Sequence, residues 1–420
     1  MKNVKKILVF CTFALSLALC SCVQIPVASG GVSEHRVLHW ETVTEVGCES
    51  EGFRFGICVD CKNEVRDTQE PLGHDFRGGA CVRCGKADPD EKGASLADYA
   101  EYEFTEDGLG YALVGIGSFK GKVAVVPAEH EGIPVLEIGA QAFAYNDIIE
   151  ELVIPDSVVR IGNGAFRNCV NLEKVNMGDG VTSIGDYAFS ECTSLRSVKL
   201  SESLKTLGAS CFARCDRLEY VEMKNCREIG DYAFTQCEML SDFVFPETLV
   251  SIGNNAFMNS GITSANLSDS VRYIGSDAFY GSAVREATVP KYITTENMGI
   301  FSECKLLETA TVKSSKILLE FEGCENLKTL IIEEGVELSL SYSLGNLTGL
   351  ETLYLPRTVK YLGRGYLGCT SAKKIVYSGT QKEFLRIHDT EILQDFRDTA
   401  IIECTDATFT VREYFTLQGN

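Results

Sequence analysis

The residues best placed for chemistry are four cysteines in two pairs, Cys58-x2-Cys61 and Cys81-x2-Cys84. Nineteen residues separate the pairs, a spacing that suits a two-knuckle zinc site. Each pair can wrap a metal through a tight turn, and four thiolates would complete a closed tetrahedral shell. Such a shell leaves no position for water, so zinc held there would be structural. Cys48 and His74 offer a competing ligand set with Cys58 and Cys61. Disulfide pairing among the same cysteines is the rival chemistry, because the chain reads as exported.

Little else in the chain has catalytic spacing. The histidines are His35, His39, His74, His130 and His388, and none stands in an HExxH or GxSxG context. There is no phosphate-binding glycine loop. The carboxylates fall at positions that vary, where a solvated surface is the default. The protein is therefore expected not to be an enzyme. A metal-dependent one would require an open metal position in the Cys-rich segment. With 39 basic against 59 acidic residues the net charge is −20, and no basic patch with interleaved aromatics occurs. A nucleic-acid partner is not expected.

The first 22 residues join a basic start, MKNVKK, to an apolar run that stops at Cys20-Ser21-Cys22. The run falls short of the roughly 20 apolar residues a membrane span needs, and reads as an export signal. Leu19 and the small Ser21 before Cys22 match a lipoprotein signal, so Cys22 is the expected lipidation site. Cys20 is the weaker candidate because bulky Leu19 precedes it, and cleavage near Val27-Ala28-Ser29 is the alternative. The expected state is a membrane-anchored lipoprotein at the cell surface, monomeric, with membrane contact through its lipid.

The rest of the chain is organised by a period. IGAQAF at 138–143, IGNGAF at 161–166 and IGDYAF at 184–189 begin a series that continues through LGASCF, IGDYAF, IGNNAF and IGSDAF. Its phenylalanines recur every 22 or 23 residues from Phe143 to Phe301, and Cys169, Cys192, Cys215 and Cys237 share the period. In the unit DGVTSIGDYAFSECTSLRSVKLS (179–201), alternation places Leu195, Val198 and Leu200 inward and Ser197 and Lys199 outward, as in a half-buried strand. DYAFSEC suits one helical turn capped by Asp186, with Ala188 and Phe189 inward. The glycine of each IG would permit a tight bend. A unit this short cannot bury its apolar face alone, so neighbours must stack. The periodic cysteines then form a buried thiol column rather than a metal site, with disulfides across coils about 4.8 Å apart as the alternative.

The period and the IG..AF..C..L..V pattern resemble the BspA-type leucine-rich repeats of bacterial surface proteins, over roughly residues 110–405. The resemblance implies an α/β repeat solenoid with short strands and short helical turns per coil, preceded by a small Cys-rich, zinc-ribbon-like module. That module is similar to short Cys, CxxC, GH, CxxCG segments of some bacterial surface proteins, a pattern His35 also fits. The expected organisation is signal 1–22, tether and start of the Cys-rich module 23–47, module 48–85 and polar linker 86–95. The N-terminal cap 96–137, repeats 138–374, and C-terminal cap and tail 375–420 complete it. Between 291 and 345 the pattern weakens: Phe301 gives way through Phe321 to Leu344 and Leu367, and looser coils are expected.

Binding is the function this organisation favours. One outward residue per coil forms a ladder that changes along the chain from charged and amide groups to Thr288, Thr311, Ile331, Tyr354 and Val376. Val244 lies earlier in this row, and Tyr220 lies in the row beside it. Exposed apolar residues in line can mark an interaction surface, although β-branched residues also simply suit strands. The family resemblance implies an adhesin-like protein holding a protein or glycan ligand. The alternative is a spacer or scaffold in the envelope.

Overall fold

A computed structural model describes residues 95–420 except 295–298, 315–320, 337–346, 363–371, 389, 391–392, 395 and 420. It also describes the backbone of five strands before residue 95. The chain divides into residues 1–73 and 74–420. In the first unit, Val37–Thr44, Gly52–Cys58 and Glu64–Gln69 form an antiparallel sheet.

The second unit is a solenoid. Strands such as Glu151–Ile154, Lys174–Met177, Ser197–Lys199 and Tyr220–Glu222 pair in parallel from one coil to the next. Each registers on its neighbour one repeat away, Val175 on Val198 and Val198 on Val221. A second parallel ladder is built from two-residue strands, including Arg160–Ile161, Ser183–Ile184, Thr206–Leu207 and Glu228–Ile229. Antiparallel strands close both ends: Glu101–Phe104 on Tyr111–Gly115, and Thr408–Thr410 on Ile401–Glu403. The closing helix Val411–Leu417 starts at a capping box made by Thr410 and Glu413.

Between the ladders runs the core. Leu195, Val198, Leu200, Ala188 and Phe189 are buried as the alternation requires. The periodic phenylalanines stack face to face from Phe143 to Phe301 at 4.8–5.4 Å between centroids. Phe321 prolongs the column at 6.3 Å, whereas Leu344 and Leu367 lie outside the described residues.

The segment expected to be a helical turn is not one. The N–H groups of Tyr187, Phe189 and Glu191 donate to Ala209, Cys211 and Ala213 of the next coil, each at 2.8 Å. The alternate N–H groups, from Ala188, Ser190 and Cys192, turn back to carbonyls three residues earlier in the same coil. A helix would keep all of these bonds within its own segment. Alternating the direction requires left-handed residues, found at Tyr187 (φ 58°) and Glu191 (φ 64°) and at the matching positions of neighbouring coils. Asp186 does not cap its own turn: its Oδ1 accepts the Ala209 N–H at 2.7 Å, one coil on. Asn163 accepts the Asp186 N–H in the same way at 2.9 Å.

One further expectation is corrected. The glycine of the IG pair is not there for φ freedom, since Gly208 lacks a positive φ. A Cβ on Gly208 would lie 2.4 Å from the carbonyl carbon of Gly185, so glycine is required because coils touch backbone to backbone. The strands around 291–345 stay in parallel register, Thr309–Val312 on Thr329–Ile332 and Thr329–Ile332 on Thr352–Leu355, while the segments 295–298, 315–320 and 337–346 between them lie outside the described residues. The ladder breaks elsewhere. Asp242–Phe243 ends one sheet and Ser264–Asn266 begins another, although the IG and AF residues of these coils are intact. Phe243 stands where the preceding coils carry valine, and its ring packs edge-on against Phe257 at 5.1 Å.

Candidate functional site

The residues that could meet a partner project from the longer strands, because their neighbours at i±1 are committed to the core. Ala287, Ala310, Leu330, Leu353 and Ile375 are buried. The outward residues between them fall on consecutive rungs. Thr288 pairs with Thr311, Thr311 with Ile331, Ile331 with Tyr354, and Tyr354 with Val376. A parallel row carries Glu286, Thr309, Thr329, Thr352 and Lys374. Tyr354 is 39% exposed, while Thr288, Thr311, Ile331 and Val376 are half-buried.

Five of the seven ladder candidates are thus contiguous. Val244 is 70% exposed and Tyr220 39%, but both lie before the ladder break, in a region separate from the other five. Sequence reasoning missed Ile401, which is 43% exposed and extends the second row beyond Lys374. It follows the last repeat, where no motif marks a rung. Also missed were Tyr145, Tyr187 and Tyr232, exposed on the turn side in left-handed conformations. Two of them are variable residues of the IGxxAF motif, and bulky residues are uncommon at positive φ.

The two ends of the strand face differ electrostatically. Toward the N-terminus, polar side chains satisfy one another: Lys174 pairs with Glu151 at 3.0 Å, and Asn176 donates to the same carboxylate at 2.8 Å. Past Thr288 the central row carries no charge until Glu403, which pairs with Lys374. The Glu403 carboxylate holds the Lys374 ammonium above its usual pKa. Ion pairs stand beside the central row, Arg285–Glu308 at 3.1 Å and Lys373–Glu351 at 3.0 Å. The result is an uncharged threonine, isoleucine, tyrosine and valine strip with a charged margin.

The buried thiols serve packing. Cys169, Cys192 and Cys215 donate their S–H groups to the Phe143, Phe166 and Phe189 carbonyls at 3.2 Å. Burial pushes the Cys169 and Cys237 thiols up to about 12, so they remain protonated and unreactive at neutral pH. Of the Cys-rich ligand candidates, Cys58 ends the strand Gly52–Cys58 and Cys81 ends Ala80–Cys81. Cys48, Cys61, His74 and Cys84 lie outside the described residues, as do Cys20 and Cys22.

The pattern of the BspA type leucine rich repeat region matches this chain in six copies, over residues 136–260, 227–319 and 320–386. A leucine-rich repeat protein from Bacteroides ovatus is 22% identical over 74% of this chain and 99% of its own, with a TM-score of 0.38. The leucine-rich repeat protein of T. pallidum is 23% identical over 56% of this chain and 82% of its own, with a TM-score of 0.29. A leucine rich cell surface protein from Faecalibacterium prausnitzii is 19% identical over 69% and 96%, with a TM-score of 0.35. No curated protein matches the chain.

Proposed function

The chain belongs to the BspA-type leucine-rich repeat family, and from that premise we propose that it is a non-catalytic, adhesin-like surface protein. Its ligand is a protein or glycan held on the outward rungs from Thr288 to Val376. One observation carries this reading: five consecutive rungs present uncharged side chains, with a partly exposed tyrosine among them, on a continuous sheet face. Lipidation of Cys22 would tether the array outside the cell.

The test is a binding screen of the chain without its first 22 residues against matrix proteins, glycans and extracts of the cell's own envelope. A ligand should be found whose affinity falls at least about tenfold in Tyr354→Ala or Ile331→Ala, as hot-spot truncation does. Binding that ignores both substitutions would remove the site. Capture by envelope extracts alone would favour the second reading, a spacer or scaffold. That reading draws on the array's length: twelve rungs from Glu151 to Ile401 at about 4.8 Å each give on the order of 50 Å.

We also propose that Cys58, Cys61, Cys81 and Cys84 hold one structural zinc ion, the closed four-thiolate site that their spacing suits. Metal analysis of the purified chain should then give about one zinc per molecule, lost on Cys61→Ser. Oxidised cysteines without stoichiometric metal would replace the zinc by disulfides.

A further inference from the structure

In most coils three residues lead from the buried column position to the next inward side chain, as from Cys192 to Leu195, Cys237 to Leu240 and Cys304 to Leu307. In two successive coils only two are available, from Ser260 to Ile262 and from Ser282 to Val284. The residue omitted is one that would face solvent. Omitting it twice running sets the surface back between two full-length coils, and a cleft of about 600 Å³ lies there. Its floor is small-residue backbone, Ser260–Gly261 and Ser282–Ala283. Gln236 and Glu238 line one side, and Glu303 and Lys305 the other. Those rims belong to coils three steps apart, about 14 Å.

The coil beneath the cleft also departs from the column that its neighbours share. Ser260 is 3% exposed and lines the floor, yet its hydroxyl has no hydrogen-bond partner among the described residues. At the same column position Cys237 donates to the Phe212 carbonyl at 3.0 Å, and Ser282 lies 3.4 Å from the Cys304 sulfur. The Ser260 hydroxyl is enclosed beneath the floor, so the recessed coil lacks the sulfur-to-carbonyl bond of its neighbour. The strand ladder also breaks at this coil, between Phe243 and Ala265.

The lining fixes the class of ligand. Glu303 is paired with Lys305 at 3.6 Å, which leaves Glu238 as the only unbalanced charge on the rims. Among the described residues no group of His, Cys, Asp or Glu side chains is arranged to hold a metal. What remains is amide, hydroxyl and carboxylate groups around one half-buried ring, Tyr280, with the partly exposed Leu306 at the edge. Hydroxyl-rich rings match that set, with their hydroxyls on Gln236, Asn259 and Glu238 and a C–H face on the tyrosine. We propose that this cleft binds a neutral saccharide of one or two rings. None of the outward rung residues lines it, so the site stands or falls independently of the strand face.

The full chain would be titrated with glucose, galactose, N-acetylglucosamine and a β-linked disaccharide of each, by saturation-transfer NMR and calorimetry. At least one should bind with Kd below about 10 mM. Tyr280→Ala should weaken it about tenfold or more, and so should one asparagine inserted between Ser260 and Gly261, which restores the full coil length and fills the cleft. Ile331→Ala should leave it unchanged. Absence of binding across the panel would overturn the proposal, and so would binding that Tyr280→Ala does not weaken. If the insertion alters the melting curve, Tyr280→Ala decides alone.

Discussion

Replacing Phe189 by alanine is expected to destabilise the solenoid by about 3–5 kcal/mol. The ring is fully buried and stacked between Phe166 at 5.0 Å and Phe212 at 5.2 Å, nearly parallel to the latter at 3°. Truncation opens a cavity and removes both stacks. The position matters as much as the size. In a solenoid each coil contacts only its neighbours, so stability is close to a sum of unit and interface contributions. Losing one ring weakens two interfaces at once and partly uncouples the coils on either side. Thermal or denaturant unfolding of Phe189→Ala should therefore begin earlier and broaden, or separate into two steps. Tyr187→Ala provides the control. It lies two residues away and is 46% exposed, with the Arg167 guanidinium 5.5 Å over its ring, and should change stability by no more than about 1 kcal/mol. An effect of Phe189→Ala below about 1 kcal/mol would contradict a continuous phenylalanine core.

Alkaline pH is expected to be nearly as damaging. Burial raises the Cys169 and Cys237 thiols to about 12 and the Cys226 and Cys304 thiols to about 11. In the unfolded chain a thiol titrates near 8.5. Above that pH the unfolded state gives up protons that the folded state must keep, so stability falls as pH rises. Below about pH 8 the contribution is fully present, and it is lost progressively toward pH 11–12. By pH 10 each such thiol costs about 2 kcal/mol, and four together rival the whole margin of a typical domain. Unfolding under reductant should show a flat stability to about pH 8 and then a steep decline. Cys237→Ala should make that decline shallower. A stability unchanged between pH 8 and 10 would mean that these thiols are not buried as described.

The sequence announces the core and conceals the seams. A period of 22–23 residues can be satisfied only by stacking, and it places Phe189, Cys192, Leu195 and Val198 inside before any coordinate is known. The same spacing misleads at the turn. Asp186, Ala188, Phe189 and Cys192 fit one turn of helix as well as they fit the observed strip, because both put residues three and four apart on one side. What separates the two is the direction of the N–H bonds, and the partners of Tyr187, Phe189 and Glu191 lie a full repeat away. Gly208 is similarly opaque: a glycine kept free for φ and a glycine pressed against another backbone are written with the same letter. The strand face was legible because outward residues alternate with the buried ones. Its division at Phe243 was not, because the motif that marks each coil runs through the break unchanged. The recessed coils at Ser260 and Ser282 are visible as a one-residue difference in spacing, but only the stacked structure turns that difference into a cleft.

The central claim is that the repeated motif provides packing and the unrepeated rungs provide recognition. Binding of the protein or glycan identified by the screen should be compared across three variants, Tyr354→Ala and Ile331→Ala on the rungs and Tyr187→Ala within IGDYAF. All three should melt close to the parent chain. The account predicts a loss of about tenfold or more for both rung variants and none for Tyr187→Ala. Binding lost with Tyr187→Ala and kept by Tyr354→Ala and Ile331→Ala would contradict it, and would move recognition to the turn side of the solenoid.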